Sequence, residues 1–259
     1  MKIGACVGAN AESMRIIKKI GFDYAEGHSQ DIVKKPMEYI EEMKATGIPM
    51  LAANCFIGLR VVGEERDDEK IKEYLEELFK RGAYLGIKYF VFGSSGARRI
   101  PEGMSLEEGR AQIVDFLKRL VVPVAEKYNI RVAIEPLRPA ECNAINTVAD
   151  GIEVAKKVDS PYVKVLADVK HMYEQNEDFK LLYDYKGWVI HAHTSNPDPD
   201  PSLNKKRIYP KAGDKFDQRD FIEPLKAIGV ECVSIEADVI DFPADAAEAY
   251  KILRPLAED

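Results

Sequence analysis

The composition of the chain is that of an acidic globular protein. It has 259 residues, 46% of them hydrophobic and 31% charged, with a formal net charge of −7 at pH 7. Nucleic-acid partners usually require a basic face, so this charge argues against DNA or RNA binding. No run approaches the ~20 apolar residues of a membrane span, and no charged leader precedes the first apolar run. The four cysteines form no CxxC pair, and we expect a reduced, cytoplasmic protein without a membrane partner.

Short apolar runs rich in Val, Ile and Phe alternate along the chain with segments of helical period. Runs of this length and composition, followed closely by turn residues, are typical of buried strands. The segments that we predict to be strands are residues 2–8, 23–27, 49–55, 89–93, 131–135, 163–168, 188–193 and 232–237.

The segments between these runs carry the periodicity of amphipathic helices, with apolar residues at i, i+3, i+4 and i+7. Ser105 and Glu108 have the spacing of a capping box, and Asp217 is predicted to cap a later helix. Several predicted helices end at a glycine shortly before the next strand. The clearest apolar faces are Ile71, Tyr74, Leu75, Leu78 and Phe79 in one helix and Ile113, Phe116, Leu117, Leu120 and Val124 in the next, and the terminal glycines are Gly21, Gly47, Gly86 and Gly229.

Eight strand–helix units fit the roughly 250 residues of a closed (β/α)₈ barrel. An open doubly wound sheet is the alternative fold, but we would then expect a glycine-rich phosphate-binding motif after the first strand. The segment GANAES at residues 8–13 is too poor in glycine for that. Because no linker or change of composition divides the chain, we predict a single (β/α)₈ barrel domain over residues 1–259.

Four chemically active residues lie at or beside the ends of predicted strands: Glu135, Asp168, His193 and Glu236. The carboxyl ends of barrel strands meet at one face, where barrel enzymes hold their catalytic groups. An oxygen-rich set with one nitrogen suits a hard or borderline divalent cation. Rim salt bridges are the alternative for any one of these residues, but four together favour a metal site. We expect Mn²⁺, with Mg²⁺ and Co²⁺ as alternatives.

Side-chain alternation along strand 7 places His191 and His193 on the same side, facing the barrel mouth, with Ile190 and Ala192 facing the helices. Glu26 ends strand 2, where pocket lining and a rim salt bridge are equally consistent with its position. We predict His28 to be a loop residue. In the segment 93–99, Arg98 or Arg99 could grip a phosphate, although a solvated loop is the favoured interpretation.

At these residues the chain resembles the xylose isomerase-like barrel superfamily, and within it the ketose 3-epimerases for tagatose and psicose. The matching segments are EPLRPAECNAINT, the DxxH of Asp168 and His171, and the HAHT that contains His193. The resemblance implies a metal-dependent sugar isomerase or epimerase, commonly a homodimer or homotetramer. It implies Glu135, Asp168, His193 and Glu236 as metal ligands and Glu141, His171 and Arg207 as contacts to a small-molecule sugar.

The chain departs from that family's pattern in its loops. The segment 194–206 between His193 and Arg207 is longer than usual and ends in Lys205 and Lys206, which raise the question of a phosphorylated or acidic sugar. The N-terminal aromatic cluster that covers the ketose is missing from residues 2–13, and His28 has no counterpart. These departures concern the substrate and the lid over it, and they leave the metal ligands unchanged.

The chemistry implied is removal of a weakly acidic proton beside a carbonyl, with a divalent cation stabilising the ene-diolate as a Lewis acid. We predict that Glu135 and Glu236 each ligate the metal through one oxygen and act as acid or base through the other. A metal-dependent dehydratase of the inosose type is the main alternative. An abasic-site endonuclease is disfavoured because it needs more histidines than the four present. A non-catalytic carbohydrate-binding protein would leave the metal site without a purpose.

Overall fold

The computed structural model describes residues 1–198 and 207–258, and its centre is a closed barrel of eight parallel strands. Neighbouring strands pair in chain order and β8 closes on β1. The predicted (β/α)₈ barrel is therefore confirmed. The strands are β1 Lys2–Cys6, β2 Tyr24–His28, β3 Met50–Asn54, β4 Tyr89–Phe92, β5 Arg131–Ile134, β6 Val163–Asp168, β7 Val189–Thr194 and β8 Cys232–Ile235.

Helices surround the barrel, and several connections contain more helical segments than the one per unit that the sequence predicts. Long helices bury the predicted apolar faces; Ile71, Leu75 and Leu78 are each at most 1% exposed. The helices are α1 Ala11–Ile20, α2 Ser29–Lys34, α3 Met37–Ala45, α4 Asp68–Leu85, α5 Ser95–Arg98, α6 Leu106–Phe116, α7 Val122–Tyr128, α8 Val148–Val158, α9 Val169–Glu174, α10 Arg219–Ala227 and α11 Phe242–Glu258, with a 3₁₀ segment at Phe179–Tyr185. Within the described residues, none of these helices has the length and apolar character needed to cross a membrane.

Most helix ends follow the chemistry predicted for them. Ser105 and Glu108 form a reciprocal capping box at the start of α6. Asp217 accepts a 2.9 Å hydrogen bond from the Arg219 N–H at the start of α10. Gly21 and Gly86 end α1 and α4 in the left-handed region, with φ of 113° and 89°, where a side chain would be strained.

The helix predicted over residues 113–124 contains a turn of π-helix at Leu117–Val121. The Val122 N–H bonds to the Leu117 carbonyl, one residue further back than in an α-helix. Pro123 follows directly and has no N–H to donate, and its ring needs room in the preceding turn. The wider π turn provides that room while Phe116, Leu117 and Leu120 stay buried.

The barrel interior is filled in layers below its carboxyl face. One cluster contains Tyr24, Ala52, Tyr89 and Cys232, and a second contains Val91, Ala133 and Leu166. Ile190 packs against both clusters, so the prediction that it faces the helices is wrong. The reason is an irregularity in β7: Val165 pairs with Val189, but Leu166 pairs with His191, which leaves Ile190 as an extra residue.

A close approach between two strands near the bottom of the barrel predicts a stability effect. A Cβ at Gly4 would lie 2.4 Å from ring atoms of Tyr24, whose hydroxyl is hydrogen-bonded to the Ser234 hydroxyl at 2.7 Å. We expect Gly4→Ala to lower the free energy of unfolding by about 1–3 kcal/mol through overpacking, measured by urea denaturation. In a Tyr24→Leu background the cost of the added methyl should shrink. An equal cost in both backgrounds would show that the ring contact is not the cause.

Candidate metal centre

Four side chains predicted as metal ligands lie together at the carboxyl face of the barrel. One donor atom from each of Glu135, Asp168, His193 and Glu236 lies within 4.8 Å of the other three. His193 is central to the group. Its Nδ1 is 3.2 Å from Glu135 Oε1, 3.3 Å from Glu236 Oε2 and 3.8 Å from Asp168 Oδ2.

Strand pairing brings these residues to one place. Asp168 ends β6 and pairs with His193 on β7. Glu135 and Glu236 lie one residue beyond β5 and β8, and each main-chain N–H still bonds to the adjacent strand, to the carbonyls of Phe92 and Thr194. The side chains therefore converge over the barrel axis from one sheet edge.

The donor set fits an octahedral divalent cation. Neighbouring ligands of such an ion lie about 3 Å apart when each is 2.0–2.1 Å from it, and the separations from His193 Nδ1 are 3.2, 3.3 and 3.8 Å. Three carboxylates with one imidazole provide hard oxygen donors and a single nitrogen, as Mn²⁺ or Mg²⁺ prefers. The residues present therefore suit the cation that the sequence predicts.

Positive side chains compensate the buried carboxylates. The Arg207 guanidinium lies 2.7 Å from Asp168 Oδ2 and 3.0 Å from Glu236 Oε2. Burial by itself would raise the pKa of both carboxyls, but attraction to Arg207 together with the neighbouring histidines outweighs it and holds the pKa of each below its ordinary value. The sequence predicts that Arg207 contacts a sugar, and in this position its guanidinium also borders the candidate ligands.

Glu26 and His191 form a buried pair beside His193, a role that the sequence does not reveal. Glu26 is 0% exposed, so it neither lines an open pocket nor forms a rim salt bridge. Its Oε2 lies 2.8 Å from His191 Nε2 and its Oε1 2.9 Å from His193 Nε2. Burial disfavours the Glu26 carboxylate, but attraction to both imidazoles overcomes this and lowers its pKa. His191 faces inward as predicted, but it is stacked on Tyr89 in the packed interior.

Asn54, at the end of β3, holds one of the candidate acid–base residues. Its Nδ2 donates a 3.0 Å hydrogen bond to Glu236 Oε1, the oxygen that does not face His193. This role of Asn54 could not be predicted from the sequence, because an amide at a strand end belongs to no recognised motif. A carboxylate at the end of β3 or an amide in a recognised spacing would have been the signal.

The loop after β4 supports Glu135. Arg98 is 0% exposed, and its guanidinium donates to the main-chain carbonyls of Phe92, at 2.8 Å, and of Glu135. It cannot reach a ligand in solution, so a phosphate-binding role for Arg98 is wrong. The favoured solvated loop is also wrong at this residue, which belongs to α5 and is fully buried. Arg99 donates to the Glu141 carbonyl instead.

The three-residue spacing of Asp168 and His171 is explained by a helix cap. Asp168 Oδ1 accepts a 2.9 Å hydrogen bond from the His171 N–H at the start of α9, while Oδ2 faces Arg207. His171 is 3% exposed, and its Nδ1 lies 3.4 Å from the Arg138 N–H. The Asp168 carboxylate is thus a candidate metal ligand that is also bonded to the main chain of His171, a predicted substrate contact.

Glu141, the other predicted substrate contact from this region, belongs to a chain of ion pairs. Its Oε1 lies 2.7 Å from Arg138 Nε. Arg138 also pairs with Glu174, and Glu174 pairs with the buried Lys170. This series of ion pairs holds Glu141 at the edge of the site.

A cavity of about 320 Å³ opens beside the candidate ligands, at the low end of the range for small-molecule sites. Glu141, Lys170, Arg207 and Glu236 line it together with Ala237 and Asp238. A larger cavity, of about 760 Å³, lies between residues 60–65 and 101–112 and contains none of the four candidate ligands. Of these two cavities, the smaller one borders the candidate ligands.

Two thiols lie near the site without fitting it. Burial is the main cause that raises the pKa of Cys6 well above its ordinary value and that of Cys55 to about 12. Both are therefore thiols near neutral pH without a bound cation, and the hard cation expected at this site prefers oxygen and nitrogen donors to sulfur. Cys6 also lies close to Glu26 and His193, but the donor atoms of those two residues are already paired with each other.

Two other sequence predictions have different outcomes. His28 is not a loop residue, because it ends β2 and its Nδ1 accepts a hydrogen bond from the Asp31 N–H at the start of α2. Lys205, Lys206 and most of the predicted 194–206 loop lie outside the described residues.

Gly93 provides a test of how the carboxylate of Glu135 is placed. A Cβ at Gly93 would lie 2.0 Å from Glu135 Oε2, so a methyl group must displace the carboxylate. We expect Gly93→Ala to weaken Mn²⁺ binding by about tenfold or more, since small shifts of a ligand reduce affinity strongly. Titration of free Mn²⁺ by electron paramagnetic resonance measures this.

The matched control is Gly96→Ala three residues further along, in α5, where no atom lies within 4 Å of the added Cβ. This variant should bind Mn²⁺ like the unmodified chain. If Gly93→Ala also binds normally while keeping its fold by circular dichroism, then the position of Glu135 does not determine cation binding.

Comparison with known proteins identifies sugar epimerases among the relatives. The chain is 27% identical to 3-dehydro-D-guloside 4-epimerase of Escherichia coli (strain K12) over 197 residues, which is 71% of this chain and 73% of that one. It is similar to the crystal structure of 3-keto-D-glucoside 4-epimerase from E. coli, with a TM-score of 0.81 and 25% identity over 98% of this chain and 99% of that one.

A second solved structure shares the fold. D-psicose 3-epimerase with D-tagatose, from Clostridium cellulolyticum H10, gives a TM-score of 0.83 at 20% identity, covering 99% of both chains. In addition, residues 14–256 match the family described as "Xylose isomerase-like TIM barrel". The resemblance seen in the sequence motifs is thus confirmed, and the chain belongs to the xylose isomerase-like TIM barrel family.

Proposed function

We propose that the chain is a divalent-metal-dependent sugar epimerase that removes a proton from a carbon beside a carbonyl and returns it to the opposite face. The observation that carries this proposal is the convergence of Glu135, Asp168, His193 and Glu236 within 4.8 Å at the carboxyl face of the barrel. The proposal is supported by the similar proteins, which are named as 4-epimerases and a 3-epimerase. Both reaction types begin with the same step, because the epimerised carbon is next to the carbonyl.

The four residues would hold the cation through Glu135 Oε1, Asp168 Oδ2, His193 Nδ1 and Glu236 Oε2, the atoms that face one another. Mn²⁺ is the expected ion, and Mg²⁺ and Co²⁺ are the alternatives. A cation held there supplies Lewis-acid stabilisation of the negative charge that develops on the substrate oxygens.

Glu135 and Glu236 are the proposed acid–base pair. They follow β5 and β8, three strands apart around the barrel, so their carboxylates approach a substrate from different sides. Each has a second oxygen besides the one facing His193: Oε2 of Glu135 over Gly93, and Oε1 of Glu236 bonded to Asn54. One of the two groups, as the carboxylate, takes the proton and an ene-diolate forms; the other, as the carboxylic acid, gives its proton to the opposite face.

Three residues are proposed to bind the sugar. Glu141 and Arg207 line the 320 Å³ cavity and offer an acceptor and a planar set of donors to hydroxyl groups. His171, whose main-chain N–H bonds to Asp168 Oδ1, is proposed to contact the oxygen of the carbonyl. The cavity lining is largely charged, which suits a polyhydroxylated molecule better than an apolar one.

The substrate class is proposed to be a 3-keto sugar glycoside or a free ketose, and one observation favours the glycoside. Residues 2–13 lack the aromatic cluster expected over a free ketose, and the last residue of β1 and two residues that follow the strand are small: Cys6, Gly8 and Ala9. Small side chains there leave room for a substituent on the sugar. The relative matched over 71% of this chain is named as a guloside epimerase.

A panel of substrates in D₂O tests the reaction type. The Mn²⁺-loaded protein should convert at least one 3-keto glycoside or ketose to an epimer that has gained one deuteron, and EDTA should abolish the conversion. Mass spectrometry with chromatography of the products measures both. Ketose phosphates and inososes complete the panel. Loss of one water from an inosose, with no epimer formed, would contradict the proposal in favour of a dehydratase.

The acid–base roles predict a specific defect in Glu135→Gln and Glu236→Gln. An amide keeps an oxygen for the cation but cannot accept the proton, so we expect solvent-deuterium exchange to fall by about 10²-fold or more in each variant at saturating Mn²⁺. Nuclear magnetic resonance of the substrate C–H signal measures the exchange.

Asp168→Asn serves as the control, because Asp168 is proposed to bind the cation and to take no part in proton transfer. Its exchange should recover once Mn²⁺ is raised to saturation. Undiminished exchange in both glutamine variants would exclude the two-carboxylate mechanism.

A further inference from the structure

We propose that Glu26 is a positioning residue that fixes which nitrogen of His193 faces the cation. This inference rests on the proposed metal site and deepens it. Glu26 comes from β2, whereas the four candidate ligands come from β5 to β8 or the residues just beyond them. It is completely buried, and its carboxylate lies between two imidazoles, 2.9 Å from His193 Nε2 and 2.8 Å from His191 Nε2.

The chemistry of imidazole makes this contact decisive. A neutral imidazole has one N–H donor and one lone pair, and the group that bonds to one nitrogen selects the function of the other. Because the carboxylate of Glu26 only accepts hydrogen bonds, a neutral His193 that binds a cation carries its single proton on Nε2. The lone pair is then on Nδ1, the atom that lies 3.2 Å from Glu135 and 3.3 Å from Glu236.

Glu26 is itself fixed, so it can hold the His193 ring in one orientation. Its second oxygen is bonded to His191, whose Nδ1 lies 3.2 Å from the Cys232 carbonyl. The His191 ring is stacked on Tyr89, with centroids 5.6 Å apart and planes 12° apart. Tyr89 and the Cys232 carbonyl thus fix His191, His191 fixes Glu26, and Glu26 restricts rotation of the His193 ring.

This arrangement also excludes a competing use of the same residues. Cys6, Glu26 and His193 are close enough to hold a cation of their own. Both oxygens of Glu26 are engaged by imidazole nitrogens, however, and such a cation would have to replace those bonds. Glu26 therefore acts on the metal through His193 and does not bind it.

The test compares Mn²⁺ affinity in three variants by electron paramagnetic resonance of the free ion. Glu26→Leu has a similar size but accepts no hydrogen bond, and its dissociation constant for Mn²⁺ should rise by roughly 10- to 100-fold. Glu26→Gln should show a smaller rise, because its amide oxygen still accepts from His193 while its NH₂ donates to His191. The control Glu177→Gln changes a half-buried carboxylate bonded to the Val148 N–H at the start of α8, and its affinity should be unchanged.

A spectroscopic measurement on the unmodified chain tests the tautomer directly. The chain has four histidines, so ¹⁵N-histidine labelling gives a spectrum that substitution of each one assigns. With ¹¹³Cd²⁺ as the diamagnetic probe, His193 should show scalar coupling to cadmium at Nδ1 and a proton at Nε2. This experiment does not depend on whether Glu26→Leu folds.

The outcomes separate the two proposals. If the unmodified chain binds neither Mn²⁺ nor Cd²⁺, both the metal site and the role of Glu26 are overturned. Coupling through Nε2, or a folded Glu26→Leu variant with an affinity within about twofold of the unmodified chain, overturns the positioning role alone. Coupling through Nδ1 together with the graded loss of affinity supports it.

Discussion

The carboxyl face of this barrel depends on one constraint, which is that several carboxylates must be held around a single imidazole. Glu26, Glu135, Asp168 and Glu236 all surround His193 at the carboxyl face, three of them almost completely buried. A buried charge is tolerated only when it is paired or coordinated. The surrounding protein meets this demand with an arginine, two histidines, an asparagine and backbone N–H groups. The arrangement is therefore a preformed charge distribution, into which a divalent cation fits as one more positive partner.

Much of this site can be read from the sequence because it depends on strand ends. Parallel strands in a barrel finish at one face, so the position of a residue at the end of a predicted strand already defines its place in the barrel. Asp168 from β6 and His193 from β7 meet for this reason, and they pair directly. Glu135 and Glu236 lie at the same face, as predicted, one residue beyond their strands. The barrel itself follows from the same alternation of strand and helix patterns.

The residues that support the site could not be read in the same way, because their roles depend on tertiary neighbours. Asn54 touches Glu236 from a position 182 residues away, and Arg98 reaches the carbonyl of Glu135 from within a short helix. The bulge at Ile190 moves a side chain from the outer to the inner face, which strict alternation cannot anticipate. In the sequence, Glu26 resembles any rim carboxylate, because its two imidazole partners become neighbours only in the folded barrel.

The double use of Asp168 has a consequence for how this active site can diverge. One oxygen faces the other candidate ligands and the other holds the first turn of α9, so the site and a surrounding helix share a single side chain. A change that moves α9, or the Arg138 loop that contacts His171, must also move a candidate metal ligand. The described residues of the loop after β1 share no such carboxylate with the site, whereas Arg207 in the loop after β7 pairs with Asp168 and Glu236. The loop after β1 can therefore diverge without moving a candidate ligand, while the β5–β6 side changes only together with the candidate metal centre.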